Sequence, residues 1–486
     1  MPSRYLGLTP RPGFGVRLPD VVLPTMYRIF KELNVVANIM LSYHRETGPE
    51  DVIASLNPRD FLKGHTGTSI KEYISKARKL SDLYSVVVEI EADHVSLMAS
   101  PERAIKRISG AAFEYGLTDE EIRESLNYIE KEMKEAKEVG GVEFVTVDTC
   151  ELVDLGVDKL SESEVLARYE SEVPEDVRRS LEKKYIGKVF TFLGPEYCIE
   201  VKFSRIDVAR LALKYLKSIE YVEKVYSLVE TYLGPVGLEV ALDELPELTP
   251  VKDLVFYLNE LRDRGLNINF IAPNVGFRKR EDYAGELGEL RERLEVLSTV
   301  AKSFGTLLSI HSGSGAHPYS DKGIGVWETV RDATSGLVKY KVSGIFIQLL
   351  LEVMARFPRG SRPRTLYEEI FSTVHDYLIK EVEKRGYLYS PELEQMLRRY
   401  EDEVRKGLRE EMDPRADFFR HYFFLFQTVR DSRGFRYLRE KVLELYREDE
   451  ELRKAYEREL AHLLTRFLTK LGYVNNAIRW RTIHIA

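Results

Sequence analysis

Hydrophobic positions along the chain gather into short apolar runs, each stopping at polar residues and followed by a longer segment whose apolar positions recur at helical spacing. The runs are residues 13–18, 35–41, 86–90, 142–147, 238–242, 268–272, 307–311 and 337–341. Short buried strands alternating with helices predict a parallel sheet, and eight such units are what a closed (β/α)8 TIM-like barrel needs.

Between the runs, 69–81 and 207–232 have helical spacing, and Thr118-Asp119-Glu120-Glu121 is a capping box opening a helix that Gly140-Gly141 stops. We read residues near 118–139 as one helical insertion. The charged stretch 153–188 is read as a second, lying over the barrel mouth. Past residue 356 the pattern is helical throughout, which predicts a catalytic barrel over 1–356 and an all-helical extension over 357–486. Leu366, Ile370, Val374, Leu378 and Val382 lie on one helical face there, and Ser390-Pro391 is a helix start. The aromatic cluster around Phe418 to Phe426 is expected in the core.

Composition narrows the class. Hydrophobic residues at 44%, charged residues at 31% and a net charge of −7 describe a soluble globular protein with no electrostatic reason to bind nucleic acid. Two cysteines, Cys150 and Cys198, give neither a disulfide framework nor a cysteine zinc site, and a reducing, cytoplasmic compartment is expected. Neither a leader-like N-terminus nor a membrane-length apolar run occurs. Only three glutamines beside abundant Glu, Lys and Arg resemble thermophile composition. The oligomeric state stays open, a homo-oligomer included.

The strand ends carry the chemistry: His44, Asp93 with His94, Asp148, Asp243 with Glu244, Asn274, His311, and Lys339 with Lys341. In a barrel these converge on the C-terminal mouth, where this fold places active sites. Imidazoles and carboxylates together suit a divalent Zn, Mn, Ni, Fe or Co ion. Bland alternatives stand beside this: helix caps or ion pairs for Asp93 and Asp148, a solvated loop for His44, and structural roles for His65, His375 and His462. Cys150 lacks a neighbouring base in sequence. Arg278-Lys279-Arg280 is either a solvated loop or an anion clamp.

Four stretches bring a family into view: LEVALDELPELTP (238–250), LLSIHSGSG (307–315), Glu91-Ala92-Asp93-His94, and Asp332-Ala333-Thr334-Ser335-Gly336-Leu337 followed by Lys341. In this order, over about residues 14–430, they resemble the tagaturonate epimerase family of metal-dependent sugar-acid epimerases. The resemblance implies a TIM-like barrel that inverts carbon 4 of a six-carbon keto sugar acid. It implies metal-binding histidines at His94 and His311, a proton acceptor at Asp93, and a proton donor or further metal ligand at Glu244. Asp148 and Lys341 join the catalytic candidates. The substrate-binding candidates are His44, Asp243, Asn274, Ser312, Ser314, His317, Lys339 and His421. Strand eight carries Lys339-Tyr340-Lys341 where the family pattern has His-x-Lys. His317 is then one substitute ligand, and a metal-free positive charge from Lys339 the other option. Two alternatives accompany the epimerase: an aldolase or sugar isomerase on the same barrel, and a catalytically degenerate sugar-binding homologue.

Overall fold

Eight short parallel strands rich in β-branched and aliphatic residues close on themselves in a computed structural model of the chain, which describes residues 4–57, 60–98 and 116–485. They are β1 (Arg11–Gly15), β2 (Ala37–Ser42), β3 (Val88–Ser96), β4 (Phe144–Asp148), β5 (Gly237–Ala241), β6 (Phe270–Ala272), β7 (Leu307–Ile310) and β8 (Val338–Ser343). Each pairs with the next in sequence and β8 pairs with β1, so the predicted (β/α)8 barrel is the observed fold. The strands are followed by α1 (Pro19–Glu32), α2 (Ile70–Tyr84), α3 (Asp119–Glu138), α4 (Arg205–Leu233), α5 (Val251–Asp263), α6 (Leu287–Ser303), α7 (Val326–Ala333) and α8 (Ile345–Ala355).

The outward-facing strand residues are apolar and pack under the helices: Val88, Ile90, Val145, Val147, Leu238, Val240, Leu308 and Ile310 are all fully buried. The inward-facing set is charged. Arg11 of β1 meets Glu89 of β3 at 2.5 Å, and Asn38 of β2 donates to the same carboxylate. One layer higher, Glu91, Glu239 and Lys339 meet from β3, β5 and β8. Burying these ions without partners would cost several kcal/mol each, so every one is paired. The Val-Glu alternation in β3 therefore marks two buried faces of unlike chemistry.

Two expectations for the insertions change. The helix near 118–139 is α3, part of the barrel's own outer ring between α2 and α4. Thr118 caps it as the capping box requires. The stretch 153–188 does hold two helices, Glu162–Glu172 and Glu175–Tyr185, and runs on into an antiparallel hairpin, Val189–Leu193 with Cys198–Lys202. It packs on the outer helices rather than over the mouth. Lys184 and Tyr185 both bind Glu260 of α5 at 2.7 Å, and Tyr197 reaches Thr299 of α6 at 2.9 Å. Its apolar residues, among them Phe192 against Phe304, need a hydrophobic surface, which the helix ring offers and the polar mouth does not.

The C-terminal helices, from Arg362–Lys384 to Asn476–Ile485, wrap one side of the barrel. Leu366, Ile370, Val374 and Leu378 are buried on one face of the first, and the aromatic residues from Phe418 to Phe426 are buried as expected. Helix α8, sandwiched between the barrel and this layer, is buried at all its positions, which accounts for a sequence, IFIQLLLEVMA, apolar but for Gln348 and Glu352, which bond to each other. Phe467 of the helix Glu450–Lys470 packs on Phe14 of β1, 5.3 Å between ring centres.

Candidate active site

The strand ends form a pocket of about 710 Å3, counting its open mouth, lined by Ser42, Asp93, His94, Asp243, Glu244, His311, Ser312, Ser314 and Lys341 among others. Alternation along a strand would send Asp93 and His94 to opposite faces. A bulge between Ala92 and Val95 in β3 breaks the register, and His94 adopts φ +46°, so both side chains reach the pocket. After β7, Ser312 also takes a left-handed φ of +54°. A side chain on Gly313 would begin 2.3 Å from the Tyr340 ring and 2.5 Å from the Lys341 carbonyl, so only glycine lets this loop lie against β8.

His311 is held from two sides. Its Nε2 lies 2.5 Å from Glu239 Oε1 and its Nδ1 lies 2.9 Å from Asp243 Oδ1. The second contact lacks the alignment of a hydrogen bond, although both atoms are buried. Burial disfavours the charged imidazole, but the Asp243 charge and the close contacts with Asp243 and Glu239 outweigh it and lift the His311 pKa to about 9. His94, whose ring centre is 5.0 Å from that of His311, sets Nδ1 3.3 Å from Asp148 Oδ2. Ligand atoms of His94, Asp243 and His311 lie within 4.8 Å of one another, and so do those of His94, Asp148 and Glu244. Two imidazoles and a carboxylate facing one point, with Glu239 behind one imidazole, are a donor set that fits a divalent cation. Asp243, expected among the substrate contacts, stands beside both histidines, while Glu244, the further ligand that the resemblance implies, groups with His94 and Asp148.

Lys341 forms the floor. Its Nζ is 2.8 Å from Asp93 Oδ1, 2.7 Å from Glu91, 2.8 Å from Glu239 and 2.9 Å from Thr146. Gly13 on the neighbouring strand leaves room for its chain, since a Cβ there would sit 2.9 Å from Lys341 Cγ. Burial alone would raise the Asp93 pKa, but Lys341, His94 and His311 together hold it below the usual carboxylate range. Ser42 donates to the other Asp93 oxygen at 3.0 Å, which fixes the carboxylate plane.

Six sequence candidates do not line the pocket, the first being Asp148, which stands behind His94. Lys339 points into the barrel one layer below, fully buried between Glu91 at 2.5 Å and Glu239 at 2.9 Å and over the Phe144 ring. It shares a face with Lys341 because the two are two residues apart on a strand. The His-x-Lys departure therefore falls in the interior. His44 takes φ +65° and turns its ring against Tyr128, 4.5 Å between centres, away from the mouth. Asn274 braces its loop, accepting from Gly276 N and donating to Leu245 O. His317 lies outside the pocket and in the field of Arg415 and Glu352, with burial lowering its pKa. His421 is packed behind Arg280 with Nδ1 on the Asp417 carbonyl.

Arg17 and Arg45, which sequence reasoning passed over, join Lys279 and Arg280 of the run read as a solvated loop or an anion clamp in one cationic wall. Arg17 pairs with Glu46 at 2.7 Å, and Arg45 and Lys279 pair with Glu244 at 3.0 and 2.9 Å. Arg17 and Arg45 sit two and three residues past their strands, so reading a little beyond each strand end would have found them. Of the run 278–280, Arg278 is solvated, its side chain 82% exposed, while the next two residues face inward. Lys322 ties that loop to the one after β7 by donating to the Arg278, Glu281 and Ser314 carbonyls, and burial brings its pKa down to about 7.

A family model described as tagaturonate epimerase matches residues 110–471. A curated tagaturonate/fructuronate epimerase from Thermotoga maritima is 26% identical over 281 residues, 57% of this chain and 54% of that protein, so the match spans about half the relative's length. Crystal structures of fructuronate-tagaturonate epimerase from Cohnella laeviribosi share the fold. The native form has a TM-score of 0.65 at 20% identity, and a form with two glycerols 0.66 at 22%, each covering 96% of this chain and 82% of that one.

Proposed function

Since the chain belongs to the tagaturonate epimerase family, we propose that it inverts carbon 4 of a six-carbon keto sugar acid, interconverting tagaturonate and fructuronate with a divalent metal. One observation carries the proposal: His94, Asp243 and His311 converge beside the Asp93–Lys341 pair in a single pocket.

Carbon 4 is not adjacent to the carbon-2 ketone, so enolisation cannot exchange its hydrogen. Its hydroxyl is β to that ketone, and this makes the bond between carbons 3 and 4 the one that breaks. The hydroxyl proton leaves, carbon 4 becomes an aldehyde, and the bonding pair passes to carbon 3 and the carbon-2 oxygen as an enediolate. Turning the aldehyde over and re-forming the bond inverts the centre.

Asp93 is the group we assign to accept the hydroxyl proton, since it is held ionised and oriented by Lys341 and Ser42. Lys341 offsets negative charge developing beside it in a site of low dielectric. Asp148 orients His94 through Nδ1. Glu244, anchored by Arg45 and Lys279, is the group we assign to return the proton or to position those two cations. His94, Asp243 and His311 would hold a divalent metal, which would supply Lewis-acid stabilisation for charge on the substrate's oxygens.

Nuclear magnetic resonance of tagaturonate incubated with the purified protein tests this. Inversion at carbon 4, lost on chelation and restored by one of Zn, Mn, Ni, Fe or Co, is expected. Net three-carbon fragments would establish an aldolase instead, and binding without turnover the degenerate homologue.

A further inference from the structure

Among the pocket's cationic side chains, Arg17, Arg45, Lys279 and Lys341 each have a carboxylate partner. Arg280 makes no ion pair with any described residue. It is nevertheless held firmly. Its guanidinium donates to the His421 carbonyl and lies 5.6 Å from the centre of the Phe423 ring, and its own carbonyl accepts from Arg420. Its backbone adopts φ +59°, an unfavourable conformation for a residue with a side chain, held by the Lys322 strap to the loop after β7. Burial, with Arg17 and Arg420 nearby, pushes its pKa down to about 9, against a smaller opposing effect of Glu46, whose own ion pair is with Arg17. A guanidinium lining a pocket with no ion-pair partner among the described residues is completed by an anionic ligand, and its planar fork matches a carboxylate.

We infer that Arg280 is the anchor for the carboxylate of the sugar acid, and so the residue that makes the pocket select acids over neutral ketoses. The inference rests on the sugar-acid reading above. It also places a restraint on the chemistry. Cleavage between carbons 3 and 4 leaves the carboxylate on the three-carbon aldehyde half, so Arg280 is what retains that half while the aldehyde turns over. The C-terminal helices, through Arg420, His421 and Phe423, thereby serve specificity without lining the pocket themselves.

The test uses Arg280→Gln and Arg280→Lys in the full chain, with two kinds of readout. In turnover, Arg280→Gln should lower kcat/KM for tagaturonate and fructuronate by about 100-fold, as expected for loss of a charge-assisted bidentate pair. It should also raise the share of three-carbon products. In calorimetry, glycerate should bind the wild type and bind Arg280→Gln at least about 10-fold more weakly, with Arg280→Lys between them. Glycerol should not distinguish the three proteins. Glycerate binding through Arg280 in a protein that turns over no sugar acid would retain the anchor and remove the epimerase reading. Wild-type and variant proteins that handle sugar acids and glycerate alike, or a wild type that binds no glycerate, would overturn the anchor. Should Arg280→Gln fail to fold, equal glycerate affinity in Arg280→Lys and wild type would overturn it as well.

Discussion

His311 Nε2 and Glu239 Oε1 are 2.5 Å apart beneath the pocket floor, and this contact leaves Nδ1 facing Asp243 and the cavity. A carboxylate behind a histidine fixes its ring and raises its basicity as a ligand. Glu239→Gln should therefore lower the affinity for Zn or Mn roughly 10- to 100-fold, read by metal titration without any activity assay. Unchanged affinity would separate His311 from metal binding.

Lys339 is enclosed by Glu91, Glu239 and the Phe144 ring and does not line the pocket. Removing one partner of a buried ion network leaves uncompensated charge, so Lys339→Met should cost about 3–5 kcal/mol in urea unfolding. KM should stay at its wild-type value at temperatures where the variant is folded. A raised KM with undiminished stability would put Lys339 back among the substrate contacts.

Gly313 lies against the Tyr340 ring and the Lys341 carbonyl, where no Cβ fits. Gly313→Ala must push Ser312 and Ser314 away from β8. A displacement near 1 Å in a positioned loop costs on the order of 100-fold in rate. The expected result is a fall in kcat of that size with the circular dichroism spectrum retained, and full activity would show that the loop is dispensable.

His65 and His421 are buried, His44 is largely enclosed, and all three are held neutral. Burial is the main cause in each, and the pKa falls to about 3 for His44, well below the usual value for His65, and to about 4 for His421. In the unfolded chain they take up protons near pH 6.5. Between that pH and the folded values the unfolded state binds more protons, so stability is full above pH 6.5 and is lost as pH falls. Each histidine contributes up to about 1.4 kcal/mol per pH unit in that window. The melting temperature should drop steadily from pH 6.5 to pH 4.5, and His421→Phe should flatten the slope. A level profile would contradict the neutral assignment.

Much of the site was legible because strand ends are legible. Asp93, His94, Asp243, Glu244, His311 and Lys341 all stand one to four residues from the end of an apolar run or within it, and all line the pocket. The misplaced candidates share one physical feature: a local turn or a strand layer decided where they point. His44 was carried away by a left-handed backbone, and Lys339 differs from Lys341 only in depth along the barrel axis. Arg280 could not be separated from its solvated neighbour Arg278 because charge runs look alike until a helix from elsewhere in the chain packs against one of them.

The amino-acid sequence alone determined the eight strands, their order and the kind of chemistry at their ends, since apolar periodicity and local turn residues act over a few positions and need no partner. Tertiary structure alone decided which carboxylate stands beside the two histidines, that the barrel interior is ionic, and that the helical extension holds an arginine at the pocket. Those outcomes depend on pairing between residues up to 250 positions apart, as in Lys341 and Glu91. Closure of the barrel removes such groups from water together, so each must find its counter-charge among groups that the linear chain keeps apart.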